Sequence, residues 1–285
     1  MTPEKIHFTK EKETMLMTLN GRAIQSQWKN PILRDPWAEE AMQHIDYDIR
    51  KRFGGIGWRL IGNVGCTIIA TRAATFDLLT TRYLAEHPDA VVLHLGCGMD
   101  SRVFRVDPPA SVSWFDVDYP DVIDLRRHLF PERDTYHLIG APLSDLRWLD
   151  EVPRDRPALL LAEGVLHYLS ETEVKALLNA VVAHFPGGQM IFDICNPWIV
   201  KRAGSNVGGT GATYKWGLDD PQDIKQLEPK LELIKEFRPS ELVAFSRFPL
   251  WWRALYRAQE VNLTLRRMER TIVYRYEDAS SESRS

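Results

Sequence analysis

The apolar positions along the chain change period once, near Pro88. Before that point they recur every three or four residues, which predicts helices. Met15, Leu16, Leu19 and Ala23 mark one helix beginning at Glu13, and Ala38, Ala41, Met42 and Ile45 mark a second. Asp35-Pro36 opens the second, with the aspartate as N-cap and the proline in the first turn. The glycine-broken stretch 53–65 reads as loop, and a long helix is expected over 66–86, stopped at His87-Pro88. Residues 1–11 are polar and expected to fray.

After Pro88 short apolar runs alternate with helical segments. Strands are expected at Val91–Leu95, 111–118, 135–140, 158–164 and 189–195. One helix is expected over Pro120–Leu129, and another runs from the capping box Ser170-x-x-Glu173 to Phe185. This alternation predicts an α/β fold, a mostly parallel Rossmann-like sheet with helices on both faces. Such sheets bind ligands beyond the carboxyl ends of their strands. The segment 196–217 is too rich in glycine for a regular element. Asp220-Pro221 should start a helix, and an aromatic helix over 241–257 should lie between strands 231–237 and 270–277. The two late strands would complete a seven-stranded sheet with one antiparallel member. The expected organisation is a helical cap and lead-in helix (1–88), a core (89–277) and a disordered tail (278–285).

Composition narrows the function classes. A formal net charge of -3 carries no basic footprint, so no nucleic-acid partner is expected. No run approaches the roughly 18 apolar residues that span a membrane, and the N-terminus lacks the apolar core of a signal peptide. The expected location is the cytoplasm. Cys66, Cys97 and Cys195 are odd in number and far apart, and the histidines form no H-E-x-x-H pair. Neither a disulfide framework nor a metal site is expected.

The candidate chemistry begins where the first strand ends. Gly96-Cys97-Gly98 follows Leu95 at once, and glycine lets a backbone approach a ligand without a Cβ clash. A third glycine, which would suit a pyrophosphate, is missing. The second strand ends in Asp116 and Asp118, and Asp118, at the carboxyl edge, is the better acceptor for ribose hydroxyls. After the third strand, Asp145 and Leu146 suit an adenine ring. Glu163 closes the apolar fourth strand, where a buried carboxylate needs a partner, such as the ammonium group of an amino-acid-bearing cofactor.

At these residues the chain resembles the leucine carboxyl methyltransferase family, in its branch of small-molecule O-methyltransferases of the tetracenomycin polyketide type. The matching stretches are ETMLMTLNGRA, the helix bearing Arg72, LGCGMDSRVFR, WFDVDYPDVIDLRR, LAEGVLHYL and HFPGGQMIFD, spread over nearly the whole chain. The resemblance implies a class I methyltransferase fold that uses S-adenosyl-L-methionine to methylate a carboxylate or phenolic oxygen of a small molecule. It implies that Arg72 grips the methionine carboxylate, Gly96, Cys97 and Gly98 line the cofactor, Asp118 holds ribose, Asp145 and Leu146 hold adenine, and Glu163 lies near the amino-acid end. Met99 stands where the family commonly has leucine or isoleucine, Ser101 where it commonly has threonine, and in many relatives a methionine or similar residue stands near the position of His167.

Plainer readings stand beside these. Gly96 and Gly98 also permit tight strand-to-helix packing. Arg72 also suits a surface ion pair with Asp77. Asp116 suits a structural role, Glu163 a backbone partner, and Cys97 apolar filler. Three roles are open for His167: general base, substrate contact and satisfied core histidine. Tyr168 either packs or touches substrate. Trp251, Trp252, Leu255 and Tyr256 are core, or they roof a pocket for an aromatic substrate. The segment 196–217 is a candidate lid, with Tyr214 and Trp216 as substrate contacts and Met17, Asn20 and Trp28 as the opposite wall. Three other functions compete: a protein C-terminal carboxyl methyltransferase, a nicotinamide-dependent oxidoreductase, and a module that senses S-adenosylmethionine without turning it over.

Overall fold

The computed structural model of the chain describes residues 11–47, 62–203, 211–261 and 269–277. The segments expected to fray at the start and to be disordered at the end, and most of the expected 53–65 loop, lie outside these residues. Three helices come first: α1 (Glu11–Ser26), α2 (Pro36–His44) and α3 (Asn63–Glu86). Seven strands follow: β1 (Val91–Leu95), β2 (Ser113–Asp118), β3 (Tyr136–Gly140), β4 (Ala158–Ala162), β5 (Gly187–Cys195), β6 (Glu232–Phe237) and β7 (Glu269–Glu277). Between and after them lie α4 (Arg102–Val106), α5 (Pro120–Leu129), α6 (Glu171–His184), α7 (Pro197–Ala203) and α8 (Leu250–Val261).

The sheet order is β3-β2-β1-β4-β5-β7-β6. β1 to β5 pair in parallel, and β7 runs antiparallel to both of its neighbours. β1 and β4 are buried at every position, as strands covered on both faces must be. Leu93, Leu160 and Phe192 face α6 through Leu177, Leu178 and Val181. Val92, Leu159 and Ile191 face α3 through Phe76 and Tyr83. The strand order turns back at β1 and β4, so the loop after β1 sits at the switch point where open α/β sheets take ligands.

Several boundaries differ from expectation for local reasons. β4 stops at Ala162, leaving Glu163 and Gly164 in a turn, with Gly164 at φ +70°. Part of the irregular 196–217 stretch forms α7. After Asp220 there is only a short 3-10 turn, Pro221–Gln226. The aromatic helix starts at Leu250 and not near 241, because Pro249 lacks the N–H that would continue a helix through it. The Ser170 capping box forms as expected, with the Glu173 amide donating to Ser170 Oγ at 3.3 Å.

The helical addition is fastened twice. Leu16, Leu19, Ala38 and Ala41 pack with Met99, Val122 and Leu125. Asp35 caps α2 by accepting from the Ala38 amide at 3.0 Å, and it is fully buried. It also accepts from Arg22 Nε at 2.9 Å, Arg105 Nη1 at 3.0 Å and Ser101 Oγ at 2.5 Å. Burial raises its carboxyl pKa, but Arg105 and Arg22 outweigh that and hold it below the usual range. Asp35→Ala should therefore destabilise the fold by about 3–5 kcal/mol, because two buried guanidiniums lose a partner. Urea unfolding at pH 7 measures this, and a loss below about 1 kcal/mol would refute the role.

Candidate active site

A cavity of about 390 Å³ opens at the carboxyl edge of β1, β2 and β4. Its floor is the Gly96–Gly98 turn. Gly96 and Gly98 have φ of +58° and +49°, a region that glycine enters without a Cβ penalty. A Cβ on Gly96 would strike Val165, and one on Gly98 would come within 2.8 Å of Met15. The glycines therefore serve turn geometry and close packing together. Carbonyls of this loop are pinned from below: Arg126 donates to Gly98 O at 2.7 Å and Asp100 O at 2.9 Å, and Arg22 donates to Met99 O at 2.7 Å.

Asp118, at the end of β2, accepts from the Gly98 amide at 2.7 Å and the Tyr119 amide at 2.7 Å. Burial raises its carboxyl pKa despite those bonds. It lines the cavity and keeps lone pairs for hydroxyl donors. Asp116 is wholly buried and bonded to His94 Nδ1 at 3.0 Å, Trp114 Nε1 at 2.8 Å, Tyr136 Oη at 2.7 Å and Arg126, which makes it structural. Cys97 lines the cavity, and burial pushes its thiol far up, the opposite of a nucleophile.

Glu163 and Arg72 meet at the far end, with Arg72 Nε donating to Glu163 Oε1 at 2.8 Å. The second oxygen of Glu163 accepts from Arg102 Nη2 at 2.5 Å. Burial raises the Glu163 pKa, but Arg72 and Arg102 more than reverse this. The partner it needed is thus a pair of guanidiniums. The Arg72–Asp77 pair is not formed: Asp77 binds Arg102 Nε at 2.8 Å and Arg105 Nε at 2.7 Å.

His167, Tyr168 and Tyr214 form an aromatic wall. The His167 ring centroid is 4.7 Å from Tyr168 and 4.2 Å from Tyr214. Burial, helped by the Arg72 charge, pushes His167 down to about 3.

Some expected contacts fall elsewhere. Asp145 accepts from Arg147 Nε at 2.8 Å, and these hydrogen bonds pull its carboxyl down to about 2. Asp145 and Leu146 stand outside the cavity wall, which is formed there by Leu143 and Ser144, while Leu146 packs on the main core. Trp216 is buried in that same core and does not face the cavity. The segment around it is docked, with Lys215 N donating to His167 O at 2.7 Å and Leu218 N to Cys195 O at 2.9 Å. Of the candidate lid, 204–210 lies outside the described residues. The wall from α1 is Lys12, Thr14, Met15, Thr18 and Arg22, and neither Met17, Asn20 nor Trp28 is part of it.

Comparison with known proteins gives the family. The family model described as leucine carboxyl methyltransferase matches residues 15–182. The tetracenomycin polyketide synthesis O-methyltransferase TcmP of Streptomyces glaucescens is 44% identical over 237 residues, 82% of this chain and 85% of that protein. The chain belongs to the leucine carboxyl methyltransferase family. It is an S-adenosyl-L-methionine-dependent O-methyltransferase. An S-adenosyl-L-methionine-dependent methyltransferase of Gibberella zeae is 31% identical over 247 residues, 80% of this chain and 82% of that one. A solved structure of a candidate methyltransferase from Thermobifida fusca superposes with a TM-score of 0.58 at 16% identity, covering 95% of this chain and 96% of that one, and it shares the class I methyltransferase fold. The oxidoreductase alternative is not favoured.

Sequence reasoning missed Arg22 and Arg126, which fix the carbonyls of the loop after β1, and Arg102, which binds Glu163 and Asp77. A signal existed. Arg126 stands four residues after Val122 and Arg22 three after Leu19, so each shares the apolar face of its helix.

The buried imidazole gives a pH test. With a pKa of about 3 in the fold and ~6.5 unfolded, His167 takes its proton only in the unfolded state between those values. Stability then rises with pH across that window and is lost as pH falls. His167→Gln should flatten the dependence between pH 6.5 and 4 by up to about 1 kcal/mol per pH unit. Parallel wild-type and variant curves from denaturant melts would show that the ring is not buried neutral.

Proposed function

We propose that this enzyme methylates a carboxylate of a small, ring-bearing molecule in the cytoplasm, with the cofactor in the 390 Å³ cavity. The cradle fits S-adenosyl-L-methionine. Asp118 is a carboxylate for ribose hydroxyls, Leu143 and Ser144 flank the adenine end, and Arg72 presents a guanidinium fork for the methionine carboxylate. Cys97 is filler between them. When bound, the cofactor supplies an electrophilic methyl group, its carbon–sulfur bond breaking as the acceptor oxygen bonds to that carbon. The core 89–277 carries most of this site, and segment 1–88 completes it through Arg72 of the lead-in helix and Met15 and Arg22 of the cap.

His167 carries the choice of acceptor. At a pKa near 3 it is neutral at pH 7, yet too weak a base to deprotonate a phenol of pKa near 10. His94 has both ring nitrogens engaged, with Asp116 and Arg102. Glu163 is held ionised between two guanidiniums. A carboxylate acceptor is already ionised and needs no base. His167, Tyr168 and Tyr214 orient it and exclude water, so positioning supplies the rate. Activity on the oxygen of a small molecule also accords with the polyketide synthesis O-methyltransferase that the chain resembles.

Two measurements check this. S-adenosylhomocysteine should bind with micromolar or better affinity, and Asp118→Ala should weaken it about ten- to hundredfold. Unchanged affinity in the folded variant would remove Asp118 from the site. Offered 2-naphthoic acid and 2-naphthol side by side, the enzyme should make the methyl ester in preference, at a rate nearly flat from pH 6 to 8. Ether as the main product, with a rate climbing through this range, would instead assign a phenol and a base.

A further inference from the structure

The connection between β6 and β7 begins and ends at the carboxyl edge of the sheet, because the two strands are antiparallel. It carries α8, which is apolar on two sides. The inner side is fixed: Trp252 and Tyr256 pack with Phe245 and Phe248 on Val64 and Ile68 of α3, and they wall a cavity of about 270 Å³. The outer side is open. At about 100° per residue, Leu250, Val261, Ala254, Ala258, Trp251 and Leu255 fall on one arc of about 140°, and all six are exposed. Among the described residues eight large apolar side chains are exposed, and four of them stand here: Leu250 at 76%, Trp251 at 56%, Leu255 at 44% and Val261 at 86%. An apolar stripe this wide on a surface helix normally faces the core. Here it faces outward. Exposed apolar side chains scattered singly are ordinary, but a contiguous ridge marks a contact surface.

Charge and shape select the occupant. Arg253 and Arg257 stand one turn apart along one flank of the ridge. The helix holds one acid, Glu260, and it is engaged by the preceding loop, where Ser240 N donates to its Oε1 at 3.1 Å. Glu241 of that loop is paired with Lys235 at 3.4 Å. The charges that border the ridge are therefore positive. α7 repeats the combination at the same sheet edge. Cys195, just before it, pairs with Glu269 at the start of β7, and α7 exposes Trp198 with the Arg202 guanidinium 5.3 Å from the ring centroid. A second copy of the chain suits the ridge less well. A stable dimer buries about 800 Å² on each partner, and a helix of 12 residues, about 18 Å long and at most about 12 Å wide, offers well under that. A lipid surface sets no such threshold. It accepts a convex apolar ridge, with tryptophan and arginine placed at headgroup level.

We propose that the outer face of α8 seats the chain on an anionic lipid bilayer, with Leu250, Trp251 and Leu255 entering the headgroup boundary and Arg253 and Arg257 meeting lipid phosphates. No helix among the described residues is long and apolar enough to cross a membrane, so the contact is peripheral. Charges act over about 8 Å at physiological ionic strength, so the two arginines, and not the chain's net charge of -3, set the local attraction. The cofactor cavity opens at the same sheet edge, so the seat holds the reaction site near molecules that partition into the bilayer.

The test is co-sedimentation of the full chain with vesicles of phosphatidylcholine alone, or of equal parts phosphatidylcholine and phosphatidylglycerol, at physiological salt. The mixed vesicles should bind it at least about tenfold more strongly, since each arginine near an anionic surface raises partitioning about fivefold. Leu250→Glu and Leu255→Glu should each cut that binding about tenfold or more. Leu250 stands in the first turn, where glutamate favours a helix, which covers the case in which Leu255→Glu does not fold. Arg257→Gln should weaken binding about fivefold and flatten its salt dependence. Ile234→Glu, at an exposed apolar position on β6 away from the ridge, should stay within about twofold of wild type. The inference is overturned if the wild type stays in the supernatant with both vesicles, if the two vesicles bind it equally, if Leu250→Glu and Leu255→Glu both bind as wild type does, or if Ile234→Glu loses as much as they do. A wild-type dimer that Leu255→Glu separates, without vesicle binding, would overturn it in favour of a second copy on this face. The readout needs no acceptor, so it stands apart from the choice between carboxylate and phenol.

Discussion

The structure depends on a chain of buried charges that must all be paired at once. It runs from Arg22 through Asp35 and Arg105 to Asp77 and Asp100, then through Arg102 to Glu163 and Arg72. A branch passes from Arg102 through His94 to Asp116 and Arg126. Taking each ion out of water costs several kcal/mol, and only near-complete pairing offsets it. That requirement ties elements that are remote in sequence. The helical addition cannot shift on the sheet without stripping Asp35 from Arg105. α3 cannot rotate without pulling Asp77 from Arg102. The loop after β1 lies inside this lattice, with three of its carbonyls fixed by Arg22 and Arg126, so its amide and glycine geometry is set before any ligand arrives. Preorganisation of this kind is what a reaction governed by positioning requires.

What could be read from the chain follows from the range of the interactions involved. β1 and β4 were legible because continuous apolar runs bounded by glycine have few alternatives. The Asp35 and Ser170 caps were legible because a cap is a contact over three residues. That Asp118 and not Asp116 lines the cavity followed from its place at the carboxyl end of the second strand, since alternation puts both on one face. The errors concern pairings that local pattern does not encode. Trp216 follows a glycine-rich stretch and looks like a lid residue, yet its neighbour's amide bonds to His167 O across the fold and draws the indole into the core. The Asp145 difference is instead local: Arg147, two residues on, takes its carboxylate, and Asp145 stands outside the cavity wall. Glu163 was rightly seen to need a partner. That the partner would be Arg72 and Arg102 together, from two different helices, is a tertiary fact.

The position of the late aromatic residues follows from strand direction. In a wholly parallel sheet each connection leaves at one edge and returns at the other, so only part of it can face the site. Reversing β7 changes this for one connection alone. Everything between β6 and β7 begins and ends at the carboxyl edge, and a long insertion there can wall a cavity without crossing the sheet. The same reversal sets Thr271 beside Asp193 in the β5–β7 ladder, so this polar pair is made by strand register and not by loops. The buried charge chain reaches the ladder through Arg72, whose Nη1 lies 3.8 Å from Asp193 Oδ2. Arg72 is therefore held between Glu163 and Asp193 where it lines the 390 Å³ cavity, and the electrostatic constraint that fixes the fold also fixes that guanidinium at the carboxyl edge of the sheet.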